Sequence, residues 1–167
     1  GTGSTATTVN GFTIADGQAD GDGEKGGGIL VTGSGGNYNI EKCYFINNYA
    51  TTGGAVYVEP DAGSSTSSVS LCRVFNNAAG TRSSSNNDGG GLCIAGYGHV
   101  DNCVITNNEN GGVLLASKAY VINATIARNT SGGIDLMTEN IGNNIQVYNT
   151  VVWRNTTLYA TCLLYTS

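Results

Sequence analysis

Charge is scarce in this chain, and proline, histidine, tryptophan and methionine are scarcer still. Only 11% of the 167 residues are charged, with seven lysines and arginines against twelve acidic residues and a net charge of −5. So few cations leave no basic patch that could bind nucleic acid by releasing counterions, and they disfavour an anionic membrane surface. No apolar run approaches the roughly 20 residues of a bilayer-crossing helix, so the chain is not expected to span a membrane itself. The shortage of charge also removes the polar face that amphipathic helices need. What is abundant is glycine, 26 residues, about twice the ~7% average. Each would cost roughly 1 kcal/mol inside a helix. With one proline, the composition favours strands joined by tight turns, and the length suits one domain with a real core.

The abundant residues recur in a fixed phrase. Aligned on its first apolar residue, it reads "VNGFTIADG" from Val9, "IEKCYFINN" from Ile40, "VSLCRVFNN" from Val69, "VDNCVITNN" from Val100, "VINATIARN" from Val121 and "VYNTVVWRN" from Val147. A second half-phrase follows the first five copies: "GGGILV", "GGAVYV", "GGGLCI", "GGVLL" and "GGIDL". The starts are 31, 29, 31, 21 and 26 residues apart, so the shortest copy is the basic unit and the longer ones carry insertions. Two or three short strands per unit and no helical stretch predict one turn of a solenoid, with each strand stacked ~4.8 Å from its counterpart. The fold expected is all-β, a parallel β-helix of about six coils.

Alternation assigns the faces. Phe12, Cys43, Cys72, Cys103, Ala124 and Thr150 share one inward rung of the first half-phrase, and Ile14, Phe45, Val74, Ile105, Ile126 and Val152 share the next. In the second half-phrase Ile29, Val31, Val56, Val58, Leu92, Ile94, Val113, Leu115, Ile134 and Leu136 point inward. Because Cys43, Cys72 and Cys103 occupy one repeat position, they read as a ladder of small buried hydrophobes with free thiols. Asn48, Asn77, Asn108, Asn129 and Asn155 follow at a fixed offset, Gly17 replacing the first. Their amides can bond from coil to coil, and asparagine tolerates the left-handed conformation of a tight corner. The glycine pairs supply the next corner.

With "C-Y-F-I-N-N … G-G-A-V" in view, the chain resembles right-handed parallel β-helix proteins of the pectin-lyase-like fold. Within them it is similar to secreted bacterial surface proteins, including polymorphic outer-membrane and choice-of-anchor proteins. The match covers about residues 7 to 158. The resemblance implies a secreted, extracellular or bacterial cell-surface location, and it separates two expectations. The first is a non-catalytic, adhesin-like module binding polysaccharide or a host or cell-surface protein. The alternative is a polysaccharide lyase or glycoside hydrolase whose catalytic coils lie outside this stretch. The tail "CLLYTS" back-translates into a sequence resembling a transposon adaptor used for sequencing libraries. A single domain over 1–161, open at both ends as an uncapped fragment of a longer parent, is therefore expected, with 162–167 a processing remnant.

Catalysis on this scaffold would need carboxylates converging on one outer face. The outward rows are Tyr44, Arg73, Val104, Thr125 and Val151; Ile46, Phe75, Thr106, Ala127 and Trp153; and Leu30, Tyr57, Cys93, Leu114 and Asp135. Only the last has an acid, and it stands alone, so no catalytic residue is assigned. The aromatics Tyr44, Tyr57, Phe75 and Trp153 are the candidate surface for sugar rings or a partner. The insertion "DGQADGDGEK" offers Asp16, Asp20, Asp22 and Glu24 as candidate Ca²⁺ ligands, without the EF-hand pattern. "GDGEKG" matches a dinucleotide fingerprint literally, but a strand-like "GGILV" follows where a helix is required. His99, the one histidine, reads as a satisfied turn residue.

Overall fold

The computed structural model describes residues 6–33, 36–60, 66–80, 88–115, 118–136 and 145–156; the stretch 162–167, expected to be a remnant, lies outside them. Among the described residues every helix or strand is a strand, and all strand pairs are parallel. The first sheet stacks β1 (Thr7–Asn10), β5 (Tyr38–Glu41), β9 (Ser67–Ser70), β13 (Gly98–Asp101), β16 (Ala119–Ile122) and β19 (Gln146–Tyr148). The second stacks β2 (Thr13–Ala15), β6 (Tyr44–Ile46), β10 (Arg73–Phe75), β14 (Val104–Thr106), β17 (Thr125–Ala127) and β20 (Val151–Trp153). A short third sheet holds β3 (Gln18–Ala19), β7 (Tyr49–Ala50) and β11 (Ala78–Ala79). The fourth holds β4 (Ile29–Gly33), β8 (Val56–Pro60), β12 (Leu92–Ile94), β15 (Val113–Leu115) and β18 (Ile134–Leu136).

The repeat alignment is the strand register. Val9 pairs with Ile40, Ile40 with Val69, Val69 with Val100, Val100 with Val121 and Val121 with Val147. Between the sheets lies one core, in which Ile40, Phe45, Val69, Val74, Leu92, Ile94, Val100, Ile105, Leu115 and Ile126 are fully buried. Each such side chain contributes about 1.5–3 kcal/mol of burial free energy. Two assigned core residues are corrected. Phe12 is 60% exposed and Leu136 is 45% exposed. Phe12 adjoins β2 and Leu136 ends β18, the outermost strands of their sheets, where a neighbour stacks on one side only. Phe12 is also far larger than the Cys, Ala and Thr that fill the same slot elsewhere.

Each repeat has more strands than its pattern suggests, because one left-handed residue cuts the first phrase in two. Gly11, Lys42, Leu71, Asn102, Asn123 and Asn149 form this row, with φ between 44° and 77°. A second left-handed row is Asp16, Asn47, Asn76, Asn107, Arg128 and Arg154. This corrects the corner assignment: in the doubled "NN" the first asparagine takes the strained backbone and the second enters the ladder. A third row is Gly26, Gly53, Gly89, Asn110 and Ser131, with φ of 60–67°.

Leu71 is the poorest fit to its row, since a γ-branched side chain at φ 56° gains nothing there and is 53% exposed. A non-glycine residue in this region costs roughly 1–2 kcal/mol, and asparagine, able to bond its own backbone, bears it best. Leu71→Asn is expected to stabilise by about 1 kcal/mol, raising Tm by ~2–4 °C. A lowered or unchanged thermal midpoint would contradict this account of the row.

Candidate functional site

The interior ladders hold the sheets in register. Cys43, Cys72 and Cys103 are buried free thiols. Each donates to the carbonyl two residues earlier: Cys43 Sγ to Glu41 at 3.2 Å, Cys72 to Ser70 at 3.1 Å and Cys103 to Asp101 at 3.3 Å. Thr150, in the same slot, does so with its hydroxyl, 2.7 Å from the Tyr148 carbonyl. Four of the six residues in this slot thus carry a donor, and Ala124 fills it by size alone. The hydrogen bond with Cys72, and burial after it, push the Cys103 thiol well above its ordinary value.

The asparagine ladder is continuous. Each Oδ1 accepts twice from the preceding rung: Asn77 from Asn48, Asn108 from Asn77, Asn129 from Asn108 and Asn155 from Asn129, through backbone N and Nδ2 at 2.9–3.0 Å. Gly17 N donates to Asn48 Oδ1 at 3.0 Å, so glycine ends the ladder without its own amide. Every Nδ2 also reaches a strand carbonyl: Ile14, Phe45, Val74, Ile105 and Ile126 accept in turn.

The candidate aromatics do not gather into one platform. Tyr44 and Phe75 meet edge to face with ring centroids 4.8 Å apart on the outer face of the second sheet. Trp153 is 48% exposed and carries the Arg154 guanidinium 4.7 Å above its ring. Thr106 and Ala127 intervene, so Phe75 and Trp153 stand three rungs, about 14 Å, apart.

Tyr57 is a correction, because it is 2% exposed. It joins Cys93, Leu114 and Ala95 in a second apolar cluster on the outer side of the fourth sheet. Lys25 Nζ donates to its hydroxyl at 2.8 Å and to Glu59 at 3.1 Å, and the hydroxyl bonds Glu59 at 3.0 Å. Tyr57 is thus a packing residue with a satisfied polar tip, unfit as a sugar platform.

That cluster carries a pH dependence. Burial pushes the Tyr57 phenol from 10.0 up to about 12 and the Cys93 thiol from 9.0 up to about 12. Both folded values lie above the unfolded ones, so the stability they contribute is complete below pH 9 and is lost as pH rises from 9 towards 12. Urea midpoints are expected to fall steeply across that window, on the order of a few kcal/mol, and Cys93→Ala should flatten the fall. Parallel curves for the two proteins would refute the assignment.

The acidic insertion does not converge. Asp16 sits in the left-handed corner and accepts from Asn47 Nδ2 at 3.2 Å, while Asp20 accepts from Gln18 Nε2 at 2.9 Å. Among the described residues no three His, Cys, Asp or Glu side chains are placed to hold a metal ion, so Asp16, Asp20, Asp22 and Glu24 do not form the Ca²⁺ site the sequence suggested. His99 is also corrected: it lies in β13, stacked on Tyr120 with centroids 4.8 Å apart and planes 1° from parallel. Its Nδ1 is buried without a hydrogen-bond partner among the described residues, and burial lowers its pKa.

The first sheet adds an outward row that the sequence reading passed over: Asn10, Glu41, Ser70, Asp101, Ile122 and Tyr148. Glu41 and Asp101 are two rungs apart on it, about 10 Å by rung spacing. Asn10 Nδ2 donates to Glu41 at 3.1 Å and Asn123 Nδ2 to Asp101 at 3.4 Å.

A groove of about 480 Å³ runs along the third sheet and the corner before it. Its walls include Asp20, Asn47, Tyr49, Asn76, Glu109 and Asn110. Tyr49 is fixed by donating to the Gly80 carbonyl at 2.6 Å, and Asn110 by donating to the Ala79 carbonyl at 2.6 Å. The exposed Asn76 amide and Glu109 carboxylate have no partner among the described residues. Sequence reasoning missed this site because its strands are two residues long. The available signal was the doubled asparagine, whose first member is spare once the second has entered the ladder. Asp20 and Glu109 lie three rungs apart, about 14 Å, beyond the ~5–9.5 Å of a hydrolytic carboxylate pair.

No family profile, curated protein or solved structure matches the chain. No helix among the described residues is long and apolar enough to cross a membrane.

Proposed function

We propose that this chain is a non-catalytic carbohydrate-binding module of a secreted or cell-surface protein, built as a right-handed parallel β-helix of about six coils. The groove on the third sheet carries the reading. It offers amides and carboxylates that can bond pairs of sugar hydroxyls, beside a tyrosine ring fixed to take the apolar face of a sugar. The right-handed crossover that parallel strands prefer supports the handedness, and two six-stranded sheets support the coil number. The likeness of the repeated phrases to bacterial surface proteins of the pectin-lyase-like fold supports the location.

The test is retardation of the chain in native gels containing soluble polysaccharides. Retardation is expected, and Asn76→Gly with Glu109→Gln should abolish it while leaving the unfolding midpoint unchanged. Glycine keeps the φ of 55° at residue 76 without strain. No retardation by any glycan, or retention by the double variant, would overturn the reading.

Glu41 and Asp101 share one outward row at about 10 Å by rung spacing, near the upper end of the ~6.5–9.5 Å of an inverting pair, and carry a second reading, an inverting glycoside hydrolase with these two as its carboxylates. New reducing ends that appear with the parent chain and vanish in Glu41→Gln would establish it over the first.

A further inference from the structure

The groove's chemistry also specifies what kind of glycan it takes. We infer that its occupant is a neutral, extended, β-linked polysaccharide lying parallel to the solenoid axis, one sugar per rung, and that polyuronides are excluded. This rests on the carbohydrate-binding reading above and makes it specific.

The direction comes from the repeat. The walls are built from successive rungs: Gln18 pairs with Tyr49, Tyr49 with Ala78, and Ala78 with Glu109. Equivalent positions therefore recur every ~4.8 Å along the axis, close to the length of one pyranose unit in an extended chain. The amides of Asn47 and Asn76 repeat at this interval, and exposed Asn107 continues the row. Each amide offers a donor and an acceptor, matching a vicinal pair of hydroxyls. A ligand running across the solenoid would meet one such amide; one running along it meets the series.

The charge comes from the walls. Asp20 and Glu109 stand at the two ends, no Lys or Arg among the described residues lines the groove, and the chain carries −5 overall. The first cation of the corner row, Arg128, lies one rung past Asn107 and outside the walls. An array of uronate carboxylates laid between two fixed carboxylates would meet like charges at both ends and find no partner between them. Hydroxyl-rich neutral sugars would find acceptors at the ends and amides in the middle.

The test is calorimetric titration of the whole chain with neutral β-1,4-linked gluco- or xylo-oligosaccharides of two to six units, and with oligogalacturonates of the same lengths. Affinity for the neutral series is expected to rise by about tenfold or more between two and four units, roughly 1.4 kcal/mol, and then to level off, because four rungs line the groove. Oligogalacturonates should bind at least about tenfold more weakly at every length. Asn47→Gly should weaken the longer neutral ligands more than the dimer. Tighter binding of the uronates, or affinity independent of length, would overturn the inference while leaving carbohydrate binding intact. No binding of either series would overturn the carbohydrate-binding reading with it.

Discussion

Asn108→Ala is expected to destabilise the protein by about 4 kcal/mol, in the range that only a few named mechanisms reach. The side chain is fully buried. Its Oδ1 accepts from both the backbone N and the Nδ2 of Asn77, and its Nδ2 donates to the Val74 carbonyl at 3.1 Å and to Asn129 Oδ1 at 2.9 Å. Alanine removes all four bonds and leaves Asn77 N without its acceptor in a space closed to water, while Asn77 Nδ2 keeps the Phe45 and Phe75 carbonyls and Asn129 Oδ1 keeps the residue 108 backbone N. Each buried group so orphaned costs about 1–3 kcal/mol. Asn155→Ala at the end of the ladder should cost less, because its Nδ2 serves one carbonyl among the described residues where that of Asn108 serves a carbonyl and the next rung.

Asn108→Asp gives an independent arm. It keeps the acceptor but loses the donor and buries a charge; burial raises the carboxyl above its unfolded value of about 3.9, so the deficit should shrink as pH falls towards 4 and level off below it. Urea unfolding at constant m-value measures all three variants. A loss under about 1 kcal/mol for Asn108→Ala would mean that the ladder fills space without supporting the register.

Residues at one repeat position share one environment, and that makes this fold legible. The alignment of Val9, Ile40, Val69, Val100, Val121 and Val147 gave the strand register, and alternation from Cys43, Cys72 and Cys103 found the inner face of the second sheet. What alternation does not carry is what covers an outer face. Tyr57, Cys93 and Leu114 read as outward and are outward, yet they are buried in a cluster of their own. Nor does a pattern of apolar residues reveal strands of two residues such as Tyr49–Ala50, and the groove is built on those. The corner was placed one residue late because "NN" looks symmetrical, whereas φ separates its members: Asn47, Asn76 and Asn107 are left-handed and their neighbours are not. Phe12 failed for a different reason, since identical position in the repeat does not give identical burial in the outermost strand.

Gly90→Ala is expected to prevent folding, or to cost more than about 4 kcal/mol if the chain folds at all. The first two glycines of the second half-phrase, Gly89 and Gly90 in the third copy, have different reasons to exist. The first, as at Gly89, takes a positive φ of 65°. The second lies where one turn of the chain meets the next: a Cβ on Gly90 would stand 1.8 Å from the Glu109 carbonyl oxygen, and one on Gly54 2.2 Å from that of Ala78. Gly27 meets Tyr49 in the same way at 2.2 Å. The atoms struck are backbone, so no rotamer relieves the contact, and the turns must separate. Separation strains the bond from Gly90 N to the Asn110 carbonyl and its counterparts on either side. Gly11→Asn is the control, because a Cβ there meets nothing within 4 Å and Asn102, Asn123 and Asn149 occupy the same row. It should shift stability by no more than about 0.5 kcal/mol. Soluble yield, circular dichroism and the thermal midpoint compare the two variants. The contact also sets the floor of the groove, since Glu109 supplies both the carbonyl that Gly90 approaches and a carboxylate of the wall. A Gly90→Ala protein that folded would therefore have a displaced Glu109 and, on the proposed carbohydrate-binding reading, weaker glycan binding. A midpoint equal to that of the parent chain would show that adjacent turns can part at this corner without loss, and would remove the close approach as the reason for the second glycine.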